Sequence, residues 1–309
     1  MNPSSRITVS VIIPAFEAEG FLSRAVLSVV NQTEPVHEII IVDDGSKDKT
    51  FDVAQMLAER YSSVRPLRLP KNSGPSASRN RGFEASTGNW LAILDADDTY
   101  EPDRIEVLSN AIRSIGEVDL LSDLLCMVDQ DVEHQPDFAL PESPMLVSVV
   151  EFLERARPNL NTPDLGLLKP VIRREFLSRT GVKYPERCRH GEDTLLMVQL
   201  LINSARYYVV SNYGYRYTTR HSGTSRTKVD YSGMKEANAS FRNHAYFQND
   251  ERARAALDAR TETLEKLDRD YRYQLSFREK LKRREYRLVS WELQKRAKKL
   301  FPLFNKMIR

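Results

Sequence analysis

The chain contains 309 residues, of which 41% are hydrophobic and 9% are aromatic, and its net charge is +3. This composition excludes an intrinsically disordered chain, and the length predicts one large domain or a core domain with an appendage. No apolar run reaches the roughly 18 residues of a membrane-spanning helix, and the first residues lack the apolar core of a secretory signal, so we expect a cytoplasmic protein. The two cysteines, Cys126 and Cys188, suit a reducing compartment and do not resemble a zinc site.

The first hundred residues alternate between strand and helix patterns. The predicted elements are strands at 7–13, 38–42, 64–69 and 90–94 and helices at 21–30, 51–61 and 75–86. Strand–helix repeats with short connections predict an α/β fold with a mostly parallel sheet flanked by helices. Ligands of such sheets bind beyond the carboxyl ends of the strands, and three polar segments fall there: 14–17, 43–46 and 95–98.

The pattern becomes less regular beyond residue 100. The predicted elements are helices at 102–115 and 191–204, strands at 118–128, 167–172 and 207–210, and loops at 129–146 and 211–228. From about Tyr231 onward, charged helical sequence dominates. We therefore predict a first domain over 1–228, divided near residue 100, and a basic helical extension over 229–309.

The segment Asp95-Ala96-Asp97-Asp98 directly follows a predicted buried strand. Three carboxylates in four residues repel one another unless a cation or solvent compensates, and Mg²⁺ and Mn²⁺ prefer carboxylate oxygen while also binding phosphate. The alternative is an acidic turn in which Asp98 caps a helix. The position at the end of a strand favours the metal.

Two further segments have a ligand interpretation beside a structural one. Asp43-Asp44-Gly45-Ser46 offers a carboxylate to a base or a ribose hydroxyl, or forms a turn in which Ser46 caps a helix. The segment 72–82 opens a helix with small residues, and Arg79 or Arg81 would reach an anion there unless this is simply a solvated helix start. The two arginines point to different faces, so we expect at most one of them to contact a ligand.

Two segments of the second half carry candidate acid–base and cationic groups. Glu192 and Asp193 begin a predicted helix, where the dipole keeps carboxylates ionised and one of them can serve as a general base; helix capping is the alternative. Arg216, His221 and their basic and tyrosine neighbours would clamp a diphosphate or form a solvated loop.

In this order, the segments resemble the family 2 glycosyltransferases of GT-A fold. The residues that carry the resemblance are Val9 to Phe16, Ile41 to Asp48, Asn72-x-Gly74 with Arg79-Asn80-x-Gly82, Leu94 to Asp98, Gly191-Glu192-Asp193, and Tyr215-Arg216-Tyr217 with His221. The match covers roughly residues 7–226. It implies inverting transfer of a sugar from an activated donor, usually a UDP-sugar, with residues 1–100 binding the nucleotide and 101–228 facing the acceptor.

The resemblance also implies roles for single residues. On the donor side, Pro14, Ala15 and Glu17 would line the nucleoside pocket, Asp44 would hold the base, and Arg79 would lie near base or phosphate. Asp95 and Asp97 would handle ribose and metal, and Ala96 between them is counted with the donor-binding residues. Asp97 is the predicted ligand of Mn²⁺ or Mg²⁺, and His221 would help to hold the metal or the diphosphate. Many relatives have Tyr-Asn where this chain has Phe16-Glu17, which affects the expected donor contacts rather than the fold.

The resemblance places the reaction's acid–base chemistry in the later motif. Asp193 would deprotonate the acceptor hydroxyl, and Glu192 would support it or contact the acceptor. Two other functions are alternatives: a sugar-1-phosphate nucleotidyltransferase, which needs a glycine-rich basic loop at the position of 14–17, and a non-catalytic nucleotide-sugar-binding relative. Because Asp97 and Asp193 are both present, the enzyme is favoured.

The acceptor is expected to be a glycan or a lipid-linked oligosaccharide of a bacterial surface polysaccharide. Residues 278–309 carry 12 Lys or Arg against three acidic residues, interleaved with Trp291 and several Leu and Phe. Such a segment favours an anionic membrane surface, which predicts peripheral association with the inner face of the plasma membrane. The alternative is a helix that packs on the core or on a second subunit; no nucleic acid is expected.

Overall fold

The structure is a computed structural model, and it describes residues 6–129, 132–134, 140, 142–156, 164–188, 190–219 and 231–282. Contacts divide the chain into two compact units, one ending at Thr261 and the other beginning at Glu262. These units are defined by contacts alone and do not test the predicted domains, so the division at residue 228 stays a prediction.

The strands form two sheets. In chain order they are β1 (Val9–Ala15), β2 (Glu38–Asp43), β3 (Val64–Arg68), β4 (Trp90–Ile93), β5 (Thr99–Tyr100), β6 (Leu120–Ser122), β7 (Leu125–Asp129), β8 (Val132–His134), β9 (Met145–Val147), β10 (Val171–Arg173), β11 (Tyr207–Val209) and β12 (Tyr215–Thr219). The larger sheet has the order β3-β2-β1-β4-β10-β6-β11-β9, and the smaller one has the order β5-β12-β7-β8.

The core of the larger sheet is parallel, as the sequence predicts. Strands β3, β2, β1 and β4 pair in parallel, with Val11 opposite both Ile39 and Ala92. Nearly every residue of β1, β2 and β4 is buried, which explains their continuous apolar sequences, since helices cover both faces of such strands. Strand β10 then runs antiparallel to both β4 and β6, so the sheet is mixed beyond its first four strands.

Ten α-helices lie among the described residues. They are α1 (Leu22–Val30), α2 (Thr50–Arg60), α3 (Pro75–Ala85), α4 (Arg104–Ile115), α5 (Val149–Arg155), α6 (Arg174–Thr180), α7 (Glu192–Ile202), α8 (Ser232–Arg242), α9 (Ala245–Asn249) and α10 (Glu251–Lys282). Helix α3 begins with Pro75 in its first turn and packs tightly on β1, since a Cβ on Gly82 would overlap the Ile12 side chain. Helices α8 to α10 lie in the described part, 231–282, of the predicted extension, whose boundary and remaining residues stay a prediction. None of the described helices is long and apolar enough to cross a bilayer.

The smaller sheet was missed by the sequence analysis. The predicted strand at 118–128 is two strands, β6 and β7, in different sheets. The strand conformation is interrupted between Ser122 and Leu125, where Asp123 binds Arg104. The predicted loop at 211–228 contains β12, which pairs with β5 and β7, and the predicted loop at 129–146 contains β8 and the start of β9. The predicted strand at 167–172 is a 3₁₀ turn at Leu165–Leu167 followed by the short strand β10.

Candidate active site

The carboxyl ends of β1, β2 and β4 meet at one edge of the larger sheet. Ala15 pairs with Asp43 at the ends of β1 and β2, and β4 on the other side of β1 leads into Asp95. Because these strands are parallel, three segments that lie far apart in sequence begin at the same edge. The sequence placed the polar segments at this edge, and the structure brings them together there.

Asp44 organises the loop that precedes α3. Its two carboxylate oxygens accept hydrogen bonds from the backbone N–H groups of Ser73 at 2.7 Å and Gly74 at 2.8 Å. Burial raises the pKa of Asp44, and these hydrogen bonds oppose that rise. Gly74 has a φ of 94°, a left-handed conformation that favours glycine. Asp44 therefore fixes the loop, while its predicted contact with a nucleoside base stays a prediction.

The end of β1 and the residues that follow it lie next to the Asp44 loop. Pro14 and Ala15 are the last residues of β1, and the backbone N–H of Glu17 donates to Ser46 Oγ at 2.9 Å. Glu17 has a φ of 47°, uncommon for a residue with a side chain, and that side chain is exposed. Ser46 thus tethers Glu17 and does not cap a helix, because α2 begins only at Thr50, after Lys49.

Arg79 joins three carboxylates at the centre of the site. Its guanidinium lies 2.8 Å from Asp95 Oδ1, 2.7 Å from Glu192 Oε1 and 3.7 Å from Asp193 Oδ1, and the residue is only 3% exposed. Arg81 is exposed, in agreement with the expectation that the two arginines face different ways. The polar segments 95–98 and 191–193 of the sequence analysis therefore share one buried cation, the Arg79 guanidinium.

Lys169 is a site residue that the sequence analysis missed. Its ammonium lies 3.0 Å from Asp95 Oδ2 and 2.6 Å from Asp193 Oδ2, and the residue is 6% exposed. The sequence pattern predicts only a strand at 167–172. A signal was present, however: a lysine among leucines and β-branched residues is rarely buried unless it is paired with a carboxylate.

Tyr184 is a second site residue that was missed. Its hydroxyl donates to Asp193 Oδ1 at 2.8 Å, and its ring lies under the Arg79 guanidinium, 5.1 Å from the ring centroid. Asn80 positions Tyr184 by accepting from its backbone N–H at 2.9 Å and donating to its carbonyl at 3.0 Å. Arg79 and Asn80 therefore both contact Tyr184, which binds Asp193. No sequence pattern predicted these contacts.

The electrostatics of the cluster keep its two aspartates ionised. Burial raises the pKa of Asp193, but Arg79 and Lys169 outweigh burial and hold it below its ordinary value. Burial likewise raises the pKa of Asp95, and Lys169 and Arg79 lower it well below its usual range. Asp193 is thus a carboxylate throughout the neutral pH range, which a general base requires.

Asp98 ties the acidic segment to the smaller sheet. It accepts hydrogen bonds from Tyr215 Oη at 2.8 Å and from the Thr218 backbone N–H at 2.7 Å. No helix begins at Asp98, so its alternative role as a helix cap is wrong; strand β5 follows directly. Burial, together with the charges of Asp95 and Asp97, raises the pKa of Asp98 well above its ordinary value.

The predicted cation-binding residues are only partly described. The Asp97 carbonyl accepts a hydrogen bond from Arg24 at 2.8 Å. Within the described ranges no group of three His, Cys, Asp or Glu side chains converges on a point that would hold a metal, and His221 lies outside those ranges. Arg216 forms ion pairs with Glu101 and Glu133 on the smaller sheet, and Arg220 and Arg226 lie outside the described residues.

Comparison with known proteins decides the family. Residues 10–121 match the model of glycosyl transferase family 2, and the chain is 31% identical over 245 residues to the succinoglycan biosynthesis protein ExoU of Rhizobium meliloti, covering 77% of this chain and 70% of ExoU. The chain belongs to glycosyl transferase family 2. The family resemblance predicted from the motifs is thereby confirmed, and a sugar-1-phosphate nucleotidyltransferase is disfavoured.

A second relative and a solved structure are also similar to this chain. The succinoglycan biosynthesis protein ExoO of the same organism is 30% identical over 220 residues, which cover 71% of this chain but only 62% of ExoO. The structure of S. aureus TarS residues 1–349 in complex with UDP-GlcNAc aligns with a TM-score of 0.64 at 20% identity, covering 77% of this chain and 68% of that one. The structural likeness supports the predicted α/β fold of this glycosyltransferase family.

Proposed function

We propose that this chain is an inverting glycosyltransferase that moves a sugar from a UDP-sugar to a hydroxyl of a glycan or lipid-linked acceptor during synthesis of a bacterial surface polysaccharide. The observation that carries the proposal is the ionised, half-buried Asp193, which shares the Lys169 ammonium with Asp95 of the predicted donor motif 95–98. The relatives named for succinoglycan biosynthesis support the polysaccharide, and the UDP-GlcNAc complex of TarS supports the nucleotide-sugar donor.

The proposed reaction uses Asp193 as the general base. The acceptor oxygen forms a bond to the anomeric carbon while its proton passes to the Asp193 carboxylate. The bond from the anomeric carbon to the diphosphate oxygen breaks on the opposite side, and its electron pair leaves with the nucleoside diphosphate, so the anomeric centre is inverted. Because neighbouring cations lower the pKa of Asp193, it is a weak base whose proton transfer comes late in the reaction.

The remaining residues of the cluster are proposed to prepare the site for this step. Glu192 Oε1 is bound by Arg79, which supports a role in holding Arg79 beside Asp193. Asp44 and the loop at 72–74 form a preorganised wall at the predicted base pocket, and Pro14, Ala15 and Glu17 lie next to it at the end of β1. Side chains that are already held in place before the substrate binds lower the entropy cost of reaching the reactive geometry.

A divalent cation is proposed to be held by Asp97 together with the donor diphosphate. Mg²⁺ and Mn²⁺ commonly bind through one or two carboxylates plus substrate phosphates and not through a cage of protein ligands, so a single carboxylate fits. The Asp97 carboxylate lies in the same acidic segment as Asp95 and Asp98, and carboxylate oxygens are ligands that these cations prefer. The ion would neutralise charge that develops on the leaving diphosphate.

Membrane association is a separate part of the proposal. The basic and aromatic composition of residues 278–309 supports binding to an anionic bilayer, where a lipid-linked acceptor would be found. Peripheral attachment at the inner face of the plasma membrane follows from this proposal.

The first experiment measures UDP release from a panel of UDP-sugars by the wild type, by Asp193→Asn and by Asp270→Asn as a matched control on α10. We expect Asp193→Asn to reduce turnover by about 100-fold or more while calorimetric UDP binding persists, since general-base removal costs about 10²–10⁴-fold. Turnover that survives in Asp193→Asn would refute the assignment of the base. A wild type that binds no UDP would refute the choice of donor.

The metal is tested by the same calorimetry, which avoids any dependence on turnover. We expect Mn²⁺ to tighten UDP binding to the wild type and to have no effect on Asp97→Ala. Equal UDP affinity with and without Mn²⁺ in the wild type would remove the proposed cation from the donor complex.

A further inference from the structure

Lys169 connects two parts of the site that come from distant stretches of chain. Asp95 follows strand β4 of the nucleotide-binding half, whereas Asp193 lies in the first turn of α7. The Lys169 ammonium contacts one oxygen of each, at 3.0 Å and 2.6 Å. It is therefore a direct link between the predicted donor motif and the proposed base.

We propose that Lys169 is a positioning residue of the transfer reaction. It holds the Asp193 carboxylate at a fixed position relative to Asp95 of the donor motif. This inference rests on the proposed function of Asp193 as the base. Lys169 acts through Asp95 and Asp193 and needs no contact with substrate.

The contacts of Asp193 show how the carboxylate is held. Lys169 binds Oδ2, and Tyr184 donates to Oδ1 at 2.8 Å, so rotation of the carboxylate would break one contact or the other. A carboxylate oxygen can accept more than one hydrogen bond. Each oxygen thus retains capacity for the acceptor hydroxyl while its direction is set.

The backbone of Lys169 is itself held in place. Arg104, which is fully buried at the start of α4, donates to the Lys169 carbonyl at 2.9 Å. Arg104 is fixed in turn by Asp123, which accepts from its Nε and Nη2 at 2.7–3.1 Å. The backbone of Lys169 is therefore held at one end of the side chain, and the carboxylates of Asp95 and Asp193 locate the ammonium at the other end.

The competing explanation is an ion pair that only stabilises the fold. Buried charge pairs are weak evidence for stability, because desolvation offsets much of their attraction. The two explanations differ in what a neutral side chain does to the pH dependence of turnover. A purely structural lysine would leave the ionisation of the base unchanged in molecules that remain folded. A lysine bound to Asp193 contributes to that ionisation together with Arg79, which lies 3.7 Å from Asp193 Oδ1.

The test compares Lys169→Met and Lys169→Arg with the wild type, and Lys183→Met serves as the control. Lys183 forms an exposed ion pair with Glu84 at 2.9 Å, outside the proposed site. UDP release is followed against donor concentration and against pH, and circular dichroism verifies folding. Should Lys169→Met fail to fold, Lys169→Gln takes its place in the same assay.

For Lys169→Met we expect kcat to fall about 100-fold, as for an ångström-scale displacement of a reacting group, with the donor KM within about threefold of the wild type. We also expect the acidic limb of its kcat profile to move to higher pH, because the base has lost a neighbouring cation. Lys169→Arg should keep the limb near its wild-type position, and Lys183→Met should match the wild type.

Two results would overturn the inference while leaving the proposed function in place. One is a Lys169→Met enzyme with wild-type kcat, and the other is a loss of kcat with an unmoved acidic limb. A wild type that releases UDP from no sugar donor would instead overturn the proposed function, and the role of Lys169 would fall with it.

Discussion

Replacing Arg104 by Met is expected to destabilise the protein strongly. The change leaves the Asp123 carboxylate, only 1% exposed, without its cation, and it also removes the donor to the Lys169 carbonyl. Breaking a buried pair by removing one partner costs about 3–5 kcal/mol, and a lost hydrogen bond to a buried carbonyl adds about 1 kcal/mol. Stacking of the guanidinium over Tyr100, 4.2 Å from the ring centroid, is lost as well.

Urea unfolding and thermal melting of purified variants measure this cost. At about 2–4 °C per kcal/mol for a unit of this size, the melting temperature should fall by on the order of 10 °C. The double variant Arg104→Met with Asp123→Leu should recover much of the loss, because it leaves no unpaired charge. Arg113→Met, which breaks an exposed pair with Glu34 at 2.9 Å, should cost under about 1 kcal/mol.

The reasoning about Arg104 fails if its replacement costs no more than that of Arg113. It also fails if the double variant is as unstable as the single one, since the cost then does not come from the uncompensated carboxylate.

Three further outcomes are expected. Gly82→Ala should lose about 1–3 kcal/mol of stability in urea unfolding because its Cβ would overlap Ile12, whereas Gly20→Ala, with no atom near its Cβ, should be neutral; equal effects would contradict the tight packing of α3 on β1. Burial raises the pKa of Glu38, but hydrogen bonds outweigh it and lower the pKa from 4.5, so this carboxylate contributes stability above about pH 4.5 that is lost as the pH falls through its folded pKa. Glu38→Gln should therefore flatten the acidic decline of the melting temperature, and an unchanged decline would exclude Glu38 as a cause. Deleting 278–309 should abolish co-sedimentation with phosphatidylglycerol vesicles at low salt; retained binding would end the membrane proposal.

The parallel half of the sheet was predictable because each of its strands is buried on both faces. A strand such as β2 has an unbroken apolar sequence that ends in acidic residues. This pattern can be recognised without knowing which strands pair with it. The same logic placed Asp44, Asp95 and Asp97 at one edge of the sheet. The family motifs added Glu192 and Asp193, which periodicity alone identified only as a helix start.

The rest of the site depends on contacts that no local pattern contains. Lys169 reaches Asp193 across 24 positions and Asp95 across 74, and its role follows from the antiparallel placement of β10 next to β4. The strand β12 was hidden because its polar, aromatic sequence is only half-buried and lacks an apolar run. Tyrosine in such a segment fits a loop and a strand equally well, and only the pairing partner decides between them.

The pairing of β5 with β12 limits where this chain can be joined to a relative in a chimeric protein. Tyr100 pairs with Tyr215, and Asp98 accepts from the Thr218 backbone, so the acidic segment and β12 share a register although more than a hundred residues separate them. A chimera joined at residue 100 would take the two sides of this pairing from different parents. Crossover points before Asp95, with 95–219 inherited as one block, would keep the donor motif and its supporting strand from the same parent.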